Sequence, residues 1–191
     1  MSDEQQMPDA SGEKPAGERL GASWHLKSWL RDLLVSVLVS AFIIMFLYQP
    51  VRVEGTSMLP MLEDEDRLVI NKLAYHVGDV HRGDVVVFLY PKDHSKSYIK
   101  RVIAGPGDDL KIERGQVYVN GVAVQESYVP PRFSDDRSYA EMVVPAHEYF
   151  VMGDHRCISS DSREFGPIDR SLIYGKAAFV YWPMEQMGVV R

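Results

Sequence analysis

The 191-residue chain has one cysteine, Cys157. That excludes an internal disulfide and any cysteine-rich metal site. It leaves the compartment open, because domains outside the cytoplasm need not use disulfides. Positive charge is not in excess. The net charge of −6 argues against a general nucleic-acid binder. The six histidines show no partner pattern, so a Ser-His-Asp triad has no support. No Gly-x-Ser-x-Gly elbow surrounds the serine that matters below, Ser57. Internal repeats and low-complexity core segments are absent, and helical patterns are few. Residues 1–23 almost lack large apolar side chains. They cannot bury enough surface to offset the entropy of ordering, so a disordered tail is expected there.

One long hydrophobic run is present. Leu33 to Tyr48 is almost unbroken apolar, and counting from Trp29 through Pro50 reaches the roughly 20 residues that span a bilayer. Trp24 and Trp29 at one end and Tyr48 at the other suit the interfacial aromatic belts. No Ala-x-Ala-like site follows, which disfavours a cleaved signal peptide. A domain of this size rarely hides an all-round apolar helix, which disfavours a core helix. Residues 24–50 therefore read as a retained transmembrane anchor. Lys14, Arg19, Lys27 and Arg31 precede the span, whereas only Arg52 and Arg67 closely follow it. By the positive-inside rule the N-terminus is expected in the cytoplasm and residues 51–191 outside it.

Beyond Pro50 the period becomes that of strands. The expected strands include 67–73, 85–90, 98–103, 147–152 and 172–182. Asn120-Gly121 between Gln116–Val119 and Val122–Val124 predicts a hairpin with a type I′ turn. Residues 126–142 are polar and proline-bearing and read as an exposed excursion. Many short strands punctuated by Gly and Pro predict a mainly β fold. The architecture would be one antiparallel sandwich or barrel-like domain behind one transmembrane helix.

Three stretches carry candidate chemistry. Ser57 lies in Gly55-Thr-Ser-Met-Leu-Pro60, and a serine hydroxyl is a poor nucleophile unless a base takes its proton. Lys100, in Tyr98-Ile-Lys-Arg-Val-Ile103, is the best base candidate. A free lysine, with pKa about 10.4, is almost wholly protonated at neutral pH. Burial in an internal strand would lower that pKa, and no acid lies close by in sequence to hold the charge. Against this, a serine after Gly-Thr is often a turn residue. A strand lysine, here beside Arg101, often protects a sheet edge. The third stretch, Gly153 to Pro167, is dense in hydrogen-bonding side chains between apolar strands. It could be a solvated loop or a shell that orients the lysine. A metal site of Asp154, His155 and Asp161 lacks a recognisable spacing.

These blocks, with Arg82-Gly-Asp-Val-Val-Val-Phe88 and Gly105-Pro-Gly-Asp108, occur in the order found in type I signal peptidases (leader peptidases). The chain resembles that family of membrane-anchored bacterial Ser-Lys proteases over about residues 30–183. The resemblance implies that Ser57 is the nucleophile and Lys100 the general base. Ser159 would hydrogen-bond the lysine amine, and Asp161 and Arg163 would pair behind the site, with Asp154 and Arg156 a further candidate pair nearby. The Ser57 N–H would serve as one oxyanion donor. Val53, Met58, Leu62, Val87, Tyr98 and Ile99 match the family's shallow substrate pockets, or are ordinary core. No metal or organic cofactor is implied. The partners implied are the bilayer and preproteins with small residues at −1 and −3 before the cut. The location implied is the bacterial inner membrane. About residues 111–145 would form a small β extension.

Three departures stand out. His155, Cys157 and Ile158 replace the family's Asn, Asp and Asn, so an ion pair made by the Asp is lost. Gly55 stands where some members carry a serine that helps bind the oxyanion. The anchor is single, whereas some members have two. Competing readings are a processing peptidase with one dedicated substrate and a non-catalytic, membrane-tethered peptide-binding β-domain. A soluble self-cleaving repressor is disfavoured by the anchor and by the lack of a DNA-binding helix pair.

Overall fold

The computed structural model describes residues 19–191, so most of the expected tail lies outside the described residues. The chain forms two units, Met1–Ile44 and Met45–Arg191. In the first, helix α1 runs Arg19–Leu47. It starts inside the expected tail. Within it, Leu26–Met45 is a 20-residue stretch of mean hydropathy 1.8 with none of its residues buried. At 1.5 Å per residue that length matches a hydrocarbon core of about 30 Å.

The helix stops at Leu47, short of the expected end of the anchor at Pro50. Proline cannot continue a helix, and it biases the residue before it toward extended backbone. Tyr48–Arg52 is instead strand β1, paired antiparallel with β2 (Arg67–Asn71) from Tyr48 opposite Asn71 to Arg52 opposite Arg67. β1 is an edge strand, where a proline costs no ladder hydrogen bond.

The remaining elements follow in order. They are α2 (Ala74–Val77), β3 (Val85–Tyr90), β4 (Asp93–Ala104), β5 (Asp109–Glu113), β6 (Gln116–Val119) and β7 (Val122–Ala123). Then come β8 (Tyr139–Val143), β9 (Glu148–Met152), α3 (Ser162–Phe165), β10 (Ile168–Asp169), β11 (Ile173–Trp182) and β12 (Gly188–Val189). They build two antiparallel sheets. The larger runs β1-β2-β11-β3-β4-β9-β10, with β12 added beside β11, and the smaller runs β7-β6-β5-β8. The fold is thus mainly antiparallel β behind an N-terminal apolar helix.

β3 shows why an unbroken apolar run can be a strand. Val85 and Val87 point into a core with Val53, Met58, Leu62, Leu68 and Ile70. Val86 and Phe88 point the other way, into a core with Val102, Val151 and Ile168. A strand buried on both faces needs apolar residues at every position. The smaller sheet closes a third core around Leu110, Ile112, Val117, Val119 and Phe150. Asn120 and Gly121 both have positive φ, 54° and 76°, as a type I′ turn requires. Part of the expected excursion is ordered as β8, because Tyr139 and Met142 pack on this third core while β8 pairs with β5.

Phe88 has no exposed surface, so Phe88→Ala is expected to cost about 3–5 kcal/mol. Val122→Ala, on an exposed strand, is expected to change stability by about 0.5 kcal/mol or less. Equilibrium denaturation of the two variants checks the difference.

Candidate active site

The nucleophile candidate sits on a turn that the core holds in place. Met58 and Leu62 are fully buried in the first core, so the residue after Ser57 is a plug. The Leu62 N–H donates to the Met58 carbonyl and the Leu59 N–H to the Thr56 carbonyl. Val53 and Asp66 close the base of the loop, with the Val53 N–H donating to the Asp66 carbonyl. The Asp64 carboxylate accepts from the Gly55 N–H at 2.7 Å.

Lys100 lies in β4, between β3 and β9, opposite Val86. Its neighbours in the sheet leave it 4% exposed. Nζ lies 2.5 Å from Ser57 Oγ and 5.5 Å from the centroid of the Tyr98 ring. Burial pushes the amine down to about 8; Asp161 and Asp154 pull it back up, and Arg163 lowers it further. Among the described residues no carboxylate is within ion-pair distance of this amine. A hydroxyl in contact with an amine that is partly neutral near pH 7 is an arrangement suited to proton transfer.

A cleft of about 730 Å³ opens over the pair. Val53, Val87, Tyr98 and Ile99 line it, together with Tyr174 and Ser160. Met58 and Leu62 do not reach it; their side chains are spent on the core beneath the turn.

The 153–166 loop is an ordered support, and most of its carboxylates are claimed by arginines. Asp161 takes bonds from Arg163 Nε and Nη2, each at 2.8 Å, and from the Gly153 N–H. Burial alone would raise the Asp161 carboxyl, but Arg163, the Ser159 hydroxyl and the Gly153 N–H outweigh it and hold it below the usual range. Asp154 does not pair with Arg156 as expected. Arg101 in β4 reaches it first, with bonds of 2.9 and 2.6 Å. Burial still pushes the Asp154 carboxyl up, against the pull of Arg101. Arg156 turns instead to Glu126, at 2.7 and 2.6 Å. Arg101 is therefore no edge charge; it is a buried cation in an internal strand.

Ser159 is buried behind the pair without bonding to Lys100. Its Oγ lies near Asp161 but meets no partner in good hydrogen-bond geometry. Gly153 explains the tight placement. A Cβ there would fall 2.3 Å from Ser159 Oγ and 2.4 Å from the Ser57 carbonyl oxygen.

A family model described as signal peptidase, peptidase S26, matches residues 26–182. The chain belongs to that family. Its activity is the family's: cleavage of signal peptides by a serine peptidase of the signal peptidase I kind. It is 36% identical over 175 residues to a signal peptidase I of Bacillus licheniformis, covering 85% of this chain and 91% of that one. It is 38% identical over 181 residues to a signal peptidase I of Bacillus caldolyticus, covering 88% and 94%. A solved structure of a signal peptidase I from Enterococcus faecalis V583 matches at 25% identity with a TM-score of 0.48, over 53% of this chain and 99% of that one.

Against that family's usual loop, the changed residues have found other partners. Cys157 Sγ donates to the Ser134 carbonyl. The 126–137 excursion supplies the acids: Glu126 to Arg156, and Asp135 to Arg163 at 2.7 Å. Arg137 also bonds the Arg156 carbonyl. Sequence reading missed Glu126, Asp135 and Arg101. For Arg101 a signal was present, since an arginine inside an apolar strand requires a buried acid.

Arg163→Ala leaves the Asp161 carboxylate buried and unpaired, at a cost of about 3–5 kcal/mol in a denaturant titration. Gly153→Ala is expected to fold but to lose most of its cleavage rate, because the methyl displaces Ser57. Circular dichroism beside a cleavage assay separates the two effects.

Proposed function

We propose that this chain is a membrane-anchored endopeptidase in which Ser57 attacks the scissile carbonyl and Lys100 is the general base. The observation that carries the reading is a buried, unpaired lysine amine 2.5 Å from a serine hydroxyl, at the floor of a cleft. In acylation the Ser57 hydroxyl proton passes to Lys100 Nζ as Oγ bonds the carbonyl carbon. Collapse of the tetrahedral intermediate breaks the C–N bond, and Lys100 returns its proton to the leaving amine. Water then attacks the Ser57 ester, giving its proton to Lys100. Breakdown releases the new carboxyl terminus and returns that proton to Ser57 Oγ.

The Ser57 N–H is a free oxyanion donor, since among the described residues no acceptor takes it. Gly55 adds no second donor: it has no side chain, and its N–H is taken by Asp64. Asp161 and Arg163 act as structural support, and Ser159 packs behind the lysine. The substrates are preproteins whose signal peptides carry small residues at −1 and −3. Val53, Val87, Tyr98 and Ile99 form the apolar walls that would meet them. α1 crosses the inner membrane once, with the N-terminus in the cytoplasm and the β domain outside. Support for this orientation is the excess of Lys and Arg before the span.

Ser57→Ala and Lys100→Ala are each expected to lower cleavage of a secretory preprotein by at least about a thousandfold while the protein stays folded. Wild-type products should begin directly after a small-x-small motif when their N-termini are sequenced. Near-normal activity of Lys100→Ala would sink the dyad. Because burial pushes the amine down to about 8, kcat/KM should climb from pH 6 and level off above about pH 9. A flat profile across that range would remove the lysine base.

A further inference from the structure

His155 stands where the family's usual loop has asparagine, and it touches the turn that carries Ser57 at two points. Its backbone N–H donates to the Ser57 carbonyl at 3.1 Å. Its ring Nδ1 lies 3.1 Å from the Thr56 carbonyl oxygen. A carbonyl can only accept, so Nδ1 carries the proton. The ring is held from the other side by Phe133, with centroids 4.5 Å apart, and Arg132 lies over the far ring at 4.7 Å.

The Thr56 carbonyl belongs to the same peptide unit as the Ser57 N–H. That unit is planar, and it is not among the cis bonds of the chain. In a trans peptide the C=O and the N–H point in opposite directions. Fixing the carbonyl therefore fixes the direction of the N–H. Two donors hold this carbonyl: the Leu59 N–H at 3.3 Å, which is long, and His155 Nδ1–H at 3.1 Å. A bond to the carbonyl also polarises the peptide and makes its N–H a better donor.

We propose that His155 is a positioning residue for the oxyanion donor: its Nδ1–H grips the Thr56 carbonyl and so aims the Ser57 N–H at the developing oxyanion. His155 touches neither substrate nor reacting atoms; it acts through the peptide plane. The proposal rests on Ser57 being the nucleophile. It assigns the grip to a side chain specific to this chain's altered loop, where Gly55 offers no hydroxyl to share the load.

The test is His155→Phe, which keeps the ring against Phe133 and removes only the donor, with His155→Asn as the variant that restores a side-chain N–H. Removing an oxyanion donor outright costs about a hundred- to a thousandfold in kcat. Misaiming one should cost less, about ten- to a hundredfold, with KM unchanged. A peptide boronic acid, whose tetrahedral Ser57 adduct places an oxygen in the oxyanion site, should bind His155→Phe more weakly by a similar factor. Binding of an uncleaved peptide to His155→Phe made in a Ser57→Ala background should be unaffected. His155→Asn should recover most of the kcat. Wild-type kcat in His155→Phe overturns the proposal, and so does a loss that appears in KM or in the uncleaved-peptide affinity. If Ser57→Ala itself cleaves normally, it is the nucleophile assignment that falls, and this inference with it.

Discussion

A lysine amine buried without a carboxylate partner is the constraint on which the rest of the site depends. Burial favours the neutral form, but a carboxylate at contact distance would restore the charge and end any use as a base. The two acids that raise the Lys100 pKa most are Asp161 and Asp154. Each is spoken for: Asp161 by Arg163, Asp154 by Arg101. The arginines occupy both carboxylates, so their pull on Lys100 stays indirect. The two buried acids of the 153–166 loop are thus neutralised by arginines around an unpaired amine.

This arrangement also accounts for the excursion at 126–137. The family's usual loop supplies an Asp where this chain has Cys157. Here Glu126 and Asp135 come from a different segment and pair with Arg156 and Arg163. Cys157 itself keeps a bond to the same segment through the Ser134 carbonyl. The loop is thus tied down by longer-range pairing, across 28 to 30 residues of sequence. A buried ion pair of this kind is poor evidence for net stability, but breaking one side of it is costly, which ties the loop to a single geometry.

Much of the fold was legible, for reasons that differ by element. β3 could be read because a strand buried on both faces is apolar throughout, and the 116–123 hairpin because Asn-Gly has one favoured turn. The end of α1 was misplaced by three residues because Tyr48, Gln49 and Pro50 suit a membrane interface and an edge strand equally; pairing with β2 decided for the strand. β8 was missed because its partners, Leu110 and Ile112, are distant in sequence. In the site, Ser57 and Lys100 were picked out by the order of the family's blocks, while the residues alone offered only a lysine in an apolar strand, which also suits an edge charge. Met58 and Leu62 looked like pocket residues but plug the core under the Ser57 turn. No local pattern distinguishes a side chain that walls a cleft from one that fills the space behind it. The pairings of Arg101 and Arg156 were equally out of reach, because adjacency in the loop favoured Asp154 with Arg156 while the folded strand brought Arg101 closer.

The most direct test of the account is the protonation of Lys100 itself. Lysine-selective isotope labelling, with Lys100→Arg used to assign the resonance, would follow the Lys100 side chain by NMR through a pH titration of the detergent-solubilised protein. The account predicts a midpoint near 8. A midpoint near the ordinary lysine value of about 10.4 would contradict it: an amine charged throughout the working range cannot take the proton of Ser57.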